Sequence, residues 1–430
     1  MARGDGPALN PGRQAVAAVW RIESARIVGA LARYTGDFAL AEDLAQEALA
    51  EALVSWPRDG VPGNPAGWLL TTGRRRAIDA FRRRSARDER YAALAHGLAE
   101  GGVVTGAADP VEEADDVLWD PDQIDDDVLA LMFTACHPVL SREAQVALTL
   151  RVVGGLTSDE IAKAFLVPTA TVQARITRAK KTLGAARVPF ALPPADERRT
   201  RLGSVLSVVY LIFTEGSSAS SGDDLIRLDL VAEAQRLARI LAPLVPDEPE
   251  VHGLLALLEL TAARFPARTG PDGEPVLLED QDRRRWDRPA IARGRAALMR
   301  AGRVGKGLGA YGVQAAIAEC HAVAGSVAET DWDRVVVLYE ALGRLAPSPV
   351  VELNRAVAVS MAQGPAAALL IVDGLDDSLA GSHLLPTVRG ELLRRLGRTD
   401  DARAELTRAV ASCGNARERA VLEGKLADLG

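Results

Sequence analysis

An all-α fold is what this sequence predicts, and three observations carry the expectation. Apolar residues recur at three- and four-residue spacing through most of the 430-residue chain, beginning with Val16, Val19, Ile22, Ile27 and Leu31. Aromatic residues make up only 4% of it, which suits Ala- and Leu-rich helices better than an all-β core. Clusters of Gly and Pro cut the periodic pattern into segments of helical length.

Each element follows in order. Residues 14–56 read as helices, the second carrying Leu40, Leu44, Ala48, Leu49 and Leu53 on one face. Pro57 to Pro65 reads as a loop. Asn64 then caps a helix with Pro65 at its first position, running from Ala66 to about Arg84. Residues 97–127 read as a linker, Gly-rich at first and acidic later. Helical patterning returns at Asp127–Cys136, and Ser141 opens a helix through Arg151. Two short helices, about 158–165 and 169–183, are separated by Leu166, Val167 and Pro168. Pro189, Pro193 and Pro194 mark a boundary. From 196 to 430 the pattern is helical again, broken at Gly216–Gly222, Pro243–Pro249 and Pro266–Pro275. Gly364 and Gly397 open similar segments 33 residues apart, close to the tetratricopeptide period, with Ala367 and Ala402 suited to close helix crossings. Two architectures fit: stacked helical pairs from about residue 312 with a capping helix at 415–429, or an irregular bundle.

Composition bounds the function. Hydrophobic residues at 48% and charged residues at 25% describe an ordinary globular chain. The longest apolar stretch, Val205–Phe213, is too short to span a bilayer, and no basic-then-apolar leader precedes it. A cytoplasmic protein that does not engage membranes is expected. Cys136, Cys320 and Cys413 lie far apart without a CxxC, so neither a zinc knuckle nor a disulfide framework is indicated. The five histidines, His96, His137, His252, His321 and His383, form no metal-ligand spacing, and no metal or other cofactor is expected. Gly307, Gly309 and Gly312 match GxGxxG literally, but no strand precedes them and dinucleotide binding is set aside. No carboxylate pair, triad or metal set supports an enzyme, and no catalytic residue is assigned. The net charge of −7 hides segregation: residues 100–127 hold eleven acidic and no basic residues, between two basic blocks.

Three motifs carry chemistry. In residues 156–183, Thr157 or Ser158 caps a first helix with Glu160 at the capping-box position. A short turn leads to a second helix whose apolar face is Val172, Ile176, Ala179 and Leu183. Its other face presents Gln173, Thr177, Arg178 and Lys181, with Thr171 at its start. This is helix-turn-helix spacing, in which the second helix enters the major groove. Arg reads guanine and Gln reads adenine through paired hydrogen bonds. Residues 64–84 set Trp68, Leu69, Ile78 and Phe81 among Arg74, Arg75, Arg76, Arg82, Arg83 and Arg84, a combination suited to unstacked bases and phosphates. Residues 40–56 form an amphipathic helix whose exposed face holds Asp43, Gln46, Glu47 and Glu51. An acidic face repels DNA and is read as meeting a protein.

These motifs resemble, in order, the conserved regions of the sigma-70 family. Ala41–Glu47 is similar to region 2.2, Pro65–Leu69 through Arg76–Asp79 to regions 2.3 and 2.4, and residues 156–183 to region 4.2. The likeness covers about 15–185, and the lack of a region 3 domain places it with the extracytoplasmic-function group. It implies two small helical domains, region 2 at 14–96 and region 4 at 128–188, joined by the acidic linker 97–127. A large helical C-terminal domain, tetratricopeptide-like from about 312, follows at 196–430. It also implies roles. Asp43, Gln46 and Glu47 would bind the β′ clamp of bacterial core RNA polymerase, whose β flap is a further partner. The loop Arg58–Gly67, including Asn64, would hold a flipped base of the −10 promoter element, and Trp68, Arg74, Arg75 and Arg76 would support strand opening. Thr171, Gln173, Thr177, Arg178 and Lys181 would contact the −35 element. Ala174 departs from the polar residue common there. The acidic linker would be a solvated tether or lie in the polymerase RNA-exit channel.

Leu211–Ser220, Leu277–Arg288 and Pro347–Ala356 resemble a sigma subgroup with a tetratricopeptide-like extension. That likeness implies a built-in regulator, acting through a regulatory protein or an intramolecular contact. The charged cluster Asp280–Asp287 reads as a docking site or as a self-paired network. A duplex-binding regulator with a helical sensor would account for 156–183 but not for the motifs before it.

Overall fold

The computed structural model describes residues 11–96, 121–165, 167–217, 227–270, 276–375, 378–379, 381–414 and 416–429. Eighteen α-helices carry the regular structure, and the all-α expectation holds among the described residues. The chain divides into two compact units, 1–208 and 209–430, each treated by itself.

The first unit begins with α1 (Pro11–Thr35), α2 (Phe38–Asp59) and α3 (Pro65–His96). Gly36, at φ 65°, turns the chain between α1 and α2. Asp37 caps α2, its carboxylate accepting from the Ala39 and Leu40 amides at 2.9 and 3.1 Å. Ala41, Leu44, Ala45, Ala48, Ala52 and Trp56 form the buried stripe of α2, at the spacing of one helix face. Burying each large side chain fully, Leu44 and Trp56 among them, contributes about 1.5–3 kcal/mol.

Two boundaries differ from expectation. Pro57 lies inside the last turn of α2, not in a loop. The helix stops three residues later at Gly60, whose φ of 89° breaks it. α3 begins where Asn64 predicts, the Asn64 side-chain oxygen accepting from the Gly67 amide at 3.0 Å. It runs on to His96 because residues 85–95 contain no Gly or Pro to stop it.

α4 (Pro121–Ala135) starts six residues before the expected Asp127. Proline is favoured at a first helical position, which suits Pro121 as the start of the helix. The rest of the linker lies outside the described residues. α5 (Arg142–Val152), α6 (Ser158–Ala164) and α7 (Thr169–Ala185) complete the helix-turn-helix unit. α1 packs against α2, α3 and α4. α8 (Ala195–Ser217) contains the division between the units, twelve residues past the boundary expected at 196.

In the second unit α10 (Pro249–Ala262) packs against α9 (Leu228–Leu244), α11 (Arg288–Arg303) and α12 (Ala310–Val323). The literal GxGxxG is explained here. Glu250 of α10 accepts from the Tyr311 and Gly312 amides at 3.1 Å each, so a carboxylate of the chain occupies the start of α12. A Cβ on Gly253 would lie 2.6 Å from the Gly312 nitrogen, so glycine serves a close helix crossing.

The cluster Asp280–Asp287 holds one internal ion pair, and its other groups serve the surrounding backbone. Asp282 holds Arg284 at 2.9 Å, Arg283 donates to the His321 and Ala324 carbonyls, and Trp286 is buried. Helices α13 (Trp332–Leu345), α14 (Pro349–Ala362), α15 (Pro365–Asp373), α16 (Leu384–Arg395), α17 (Thr399–Ser412) and α18 (Ala416–Ala427) each pack on the next. The two repeated glycines, Gly364 at φ 97° and Gly397 at φ 74°, both sit at turns that require the left-handed region.

Gly155, at φ 68°, closes the turn before α6, and a Cβ there would lie 2.7 Å from Ser24 Oγ on α1. Gly155→Ala is expected to lower stability by about 1–3 kcal/mol, read from the urea midpoint of the full chain.

Candidate functional site

The three motifs meet in the first unit. On α2, Asp43, Glu47 and Glu51 are exposed and Gln46 is half-buried, as an acidic protein-facing surface requires. Glu47 and Glu51 hold Arg76 of α3 at 2.9 and 2.7 Å. Glu51 first, with Glu47, raises the Arg76 guanidinium above its ordinary value against the opposing effect of burial. The acidic motif and the arginine run are therefore one charge network. Arg75 is exposed beside it, and Arg74 lies over the Tyr34 ring at 5.6 Å. Trp68 is half-buried with its ring 5.6 Å from Trp56, edge to face, so it packs on α2 while keeping an open edge. Asn64 is exposed, and its oxygen serves the cap of α3.

The helix-turn-helix is built as its spacing predicts. Thr157 caps α6, its hydroxyl accepting from the Glu160 amide at 3.2 Å while Glu160 accepts from the Thr157 amide at 2.7 Å. Thr169 donates to Asp159 at 2.8 Å and ties the start of α7 to α6. Val172, Ile176, Ala179 and Leu183 are buried. Gln173, Thr177, Arg178 and Lys181 are exposed and Thr171 is half-buried, so one side of α7 presents hydrogen-bonding groups to solvent.

Sequence reasoning missed the contact that joins the two motifs. Glu42, beside Asp43, is 3% exposed. Its carboxylate accepts from Arg151 of α5 at 3.2 Å and from Lys180 of α7. Lys180 also bridges Asp43 at 2.7 Å. Burial alone would lower the Lys180 ammonium, but Glu42 and Asp43 outweigh it and hold the group above its ordinary value. Arg21 pairs with Glu160 at 2.8 Å, and Arg33 of α1 pairs with the buried Asp127 of α4 at 2.9 Å. Burial raises the Asp127 carboxyl, with Arg33 opposing it. The signal for this docking in sequence was slight: Glu42 interrupts the buried face of α2.

In the second unit His383, Cys413 and Glu418 bring one ligand atom each within 4.8 Å of one another, a grouping that no sequence spacing announces. Cys136 is buried next to Thr149, and burial pushes its thiol up to about 12. Among the described residues no helix is long and apolar enough to cross a membrane.

An acidic helix face, an arginine-lined helix with an aromatic anchor and a helix-turn-helix make this a DNA-reading protein with a protein-binding face. Comparison with known proteins fixes the class. The family model for Sigma-70 region 2 matches residues 21–87 and that for Sigma-70 region 4 matches 130–183. A family of unknown function, DUF6596, matches 201–302. Uncharacterized protein R00370 of Rhizobium meliloti is 45% identical over 399 residues, 93% of this chain and 92% of that protein. The probable ECF RNA polymerase sigma factor SigI of Mycobacterium tuberculosis is 27% identical over 214 residues, 50% of this chain and 66% of that protein. The ECF RNA polymerase sigma factor SigK of Mycobacterium ulcerans is 28% identical over 175 residues, 40% of this chain and 84% of that one.

The chain belongs to the extracytoplasmic-function sigma-70 family and carries a helical C-terminal extension. It is an RNA polymerase sigma factor, a non-enzymatic initiation factor that binds core polymerase and promoter DNA and directs promoter recognition.

The charge contacts differ in depth, and so should their weights. Glu42→Ala takes the carboxylate from Arg151 and leaves Lys180 with Asp43 alone, and is expected to cost about 3 kcal/mol. Asp43→Ala, at an exposed carboxylate, should cost under about 1 kcal/mol. Urea denaturation of the two variants beside the native chain reads the contrast.

Proposed function

We propose that Asp43, Gln46 and Glu47 form the surface that meets the β′ clamp, and that the β flap meets the region 4 unit. Asn64 and the loop around it receive a −10 base, while Trp68, Arg74, Arg75 and Arg76 favour the opened strand. Thr171, Gln173, Thr177, Arg178 and Lys181 contact the −35 element. Region 2 spans about 14–96 and region 4 about 128–188, with the acidic linker 97–127 between them. The C-terminal helices from 196 onward modulate the sigma activity, through a regulatory protein or a contact within the chain. The protein works in the cytoplasm, where its polymerase is.

One observation carries the mechanism: Lys180 of the DNA-reading helix sits on Asp43 of the polymerase-facing helix. The same acid cannot serve both. Polymerase binding therefore competes with the docking of α7, and the factor is held until the polymerase displaces Lys180. The exposed face of α7 needs no rearrangement of its own side chains to reach a major groove.

Run-off transcription with bacterial core polymerase, on the promoter of the protein's own operon first, tests these roles. Asp43→Arg with Glu47→Arg should abolish core binding and transcripts together. Arg178→Ala should leave core binding intact and cost about 1–3 kcal/mol of discrimination at one −35 base pair. Tight binding to duplex DNA without polymerase would overturn the assignment of these faces. Ending the chain before α8 should change promoter output; unchanged output would remove the regulatory role of the extension.

Lys180→Ala should raise core affinity at least about three- to tenfold, since the exposed bridge to Asp43 alone is worth roughly 1 kcal/mol and the buried contact with Glu42 adds to it. Unchanged affinity in a polymerase-binding titration would mean that docking does not compete.

A further inference from the structure

The second unit carries an open pocket of about 390 Å³ lined by Arg264, Arg268, Leu278 and Gln281 on one side and by helices α16 and α18 on the other. This is the size of a small-molecule site. Its apolar wall is Leu277, Leu278, Leu384, Val421 and Leu422.

Its polar groups are unbalanced. Arg264 makes no hydrogen bond and no ion pair among the described residues, and its Nε is buried without a partner. Its one aromatic contact is the Trp286 ring, 5.5 Å away, which Arg283 shares at 4.6 Å. Burial first, then the like charges of Arg268 and Arg283, push the Arg264 guanidinium down to about 10. His321 adds no negative charge: burial with Arg264 and Arg283 pushes its imidazole down to about 4. Glu418, the one carboxylate among the described lining residues, bridges His383 at 3.4 Å and offsets part of the charge of Arg268. Lys425, also in the wall, is paired with Glu391 at 3.7 Å.

Another buried charge of this unit is paired. Buried Glu259 is clamped by Arg239 at 2.7 Å and by Arg293 at 3.0 Å. A partly buried cation without a counter-charge is costly, and a cavity at its side provides room for an external one. A second group is also unmatched. Gln281 donates through Nε2 to the Val276 carbonyl at 3.1 Å, which fixes the amide, and its buried Oε1 has no donor. The three demands are an anion for Arg264, a hydrogen-bond donor for Gln281 and a short aliphatic chain for the leucines.

We propose that this cavity binds a small aliphatic hydroxycarboxylate, its carboxylate on Arg264, its hydroxyl donating to Gln281 Oε1 and its chain against Leu278, Leu384 and Leu422. A cation on the neighbouring His383, Cys413 and Glu418 is the weaker reading, because Arg268 already acts on Glu418 and opposes positive charge there.

Calorimetric titration and thermal unfolding of the full chain with 3-hydroxyoctanoate test the proposal, independently of transcription. The native chain should bind it and unfold at a higher temperature in its presence. The carboxamide of the same acid should bind at least tenfold more weakly. Arg264→Met should lose at least tenfold in affinity while its ligand-free Tm stays level or rises, since an unpaired charge is removed. Gln281→Leu should erase the preference for 3-hydroxyoctanoate over octanoate, a readout that survives if Arg264→Met fails to fold. No binding of 3-hydroxyalkanoates of four to ten carbons, equal binding by Arg264→Met, or stabilisation by zinc alone would overturn it.

Discussion

The carboxylate of Glu42 is the group on which the first unit turns. It sits almost out of solvent on α2, and an unpaired carboxylate there would cost several kcal/mol. Neither cation that answers it comes from α1–α3. Arg151 and Lys180 both belong to the helix-turn-helix unit, so the charge balance of region 2 is completed by region 4. The surrounding packing agrees with this. Gly155 lets its turn approach Ser24 and the Trp20 carbonyl of α1, a distance that a larger residue would not permit. Arg33 and Asp127 repeat the arrangement on the other side of α1, with the acid on α4 and the base on α1.

The second unit solves the same problem within its own helices. Glu259 on α10 is nearly inaccessible and takes Arg239 from α9 and Arg293 from α11, fastening three helices through one carboxylate. Glu250 does the equivalent for backbone amides at the start of α12. Against this thrift the cluster of Arg264, Arg268 and Arg283 stands out. Burial and mutual repulsion work in the same direction on Arg264, and Trp286 offsets only part of that through its ring face. The fold pairs Glu259 twice over and leaves Arg264 without a carboxylate among the described residues, beside an open pocket.

Much of the helix-turn-helix was legible because its signals are local. The spacing of Val172, Ile176, Ala179 and Leu183 names the inner face, and Thr157 with Glu160 names the start of α6. Asn64 before Pro65 names the start of α3 for the same reason. Helix ends were less legible. Pro57 reads as a breaker, yet near the end of α2 it is accommodated within the last turn. Charge contacts between distant segments were not legible at all. Lys180 and Lys181 are neighbours of one type, and only tertiary packing makes one half-buried on Glu42 and leaves the other exposed. The same holds for His383, Cys413 and Glu418, which only the packing of the second unit brings together.

The depth of each acid decides how the docked state can respond to a partner. Asp43 is exposed, so exchanging Lys180 for a cation on another protein changes little for it. Glu42 differs, since losing both bases while remaining buried would be prohibitive. If the whole region 4 unit departs, however, the face of α2 that it covered becomes wet, and water solvates the carboxylate in place of Arg151 and Lys180. The large desolvation cost and the large Coulomb gain then disappear together, leaving only their small difference. Undocking by removal of the entire unit is thus far easier than cutting either base alone. A partner that binds at Asp43 and displaces α7 needs only a modest surplus of binding energy, whereas a substitution at Glu42 costs stability for as long as region 4 stays docked.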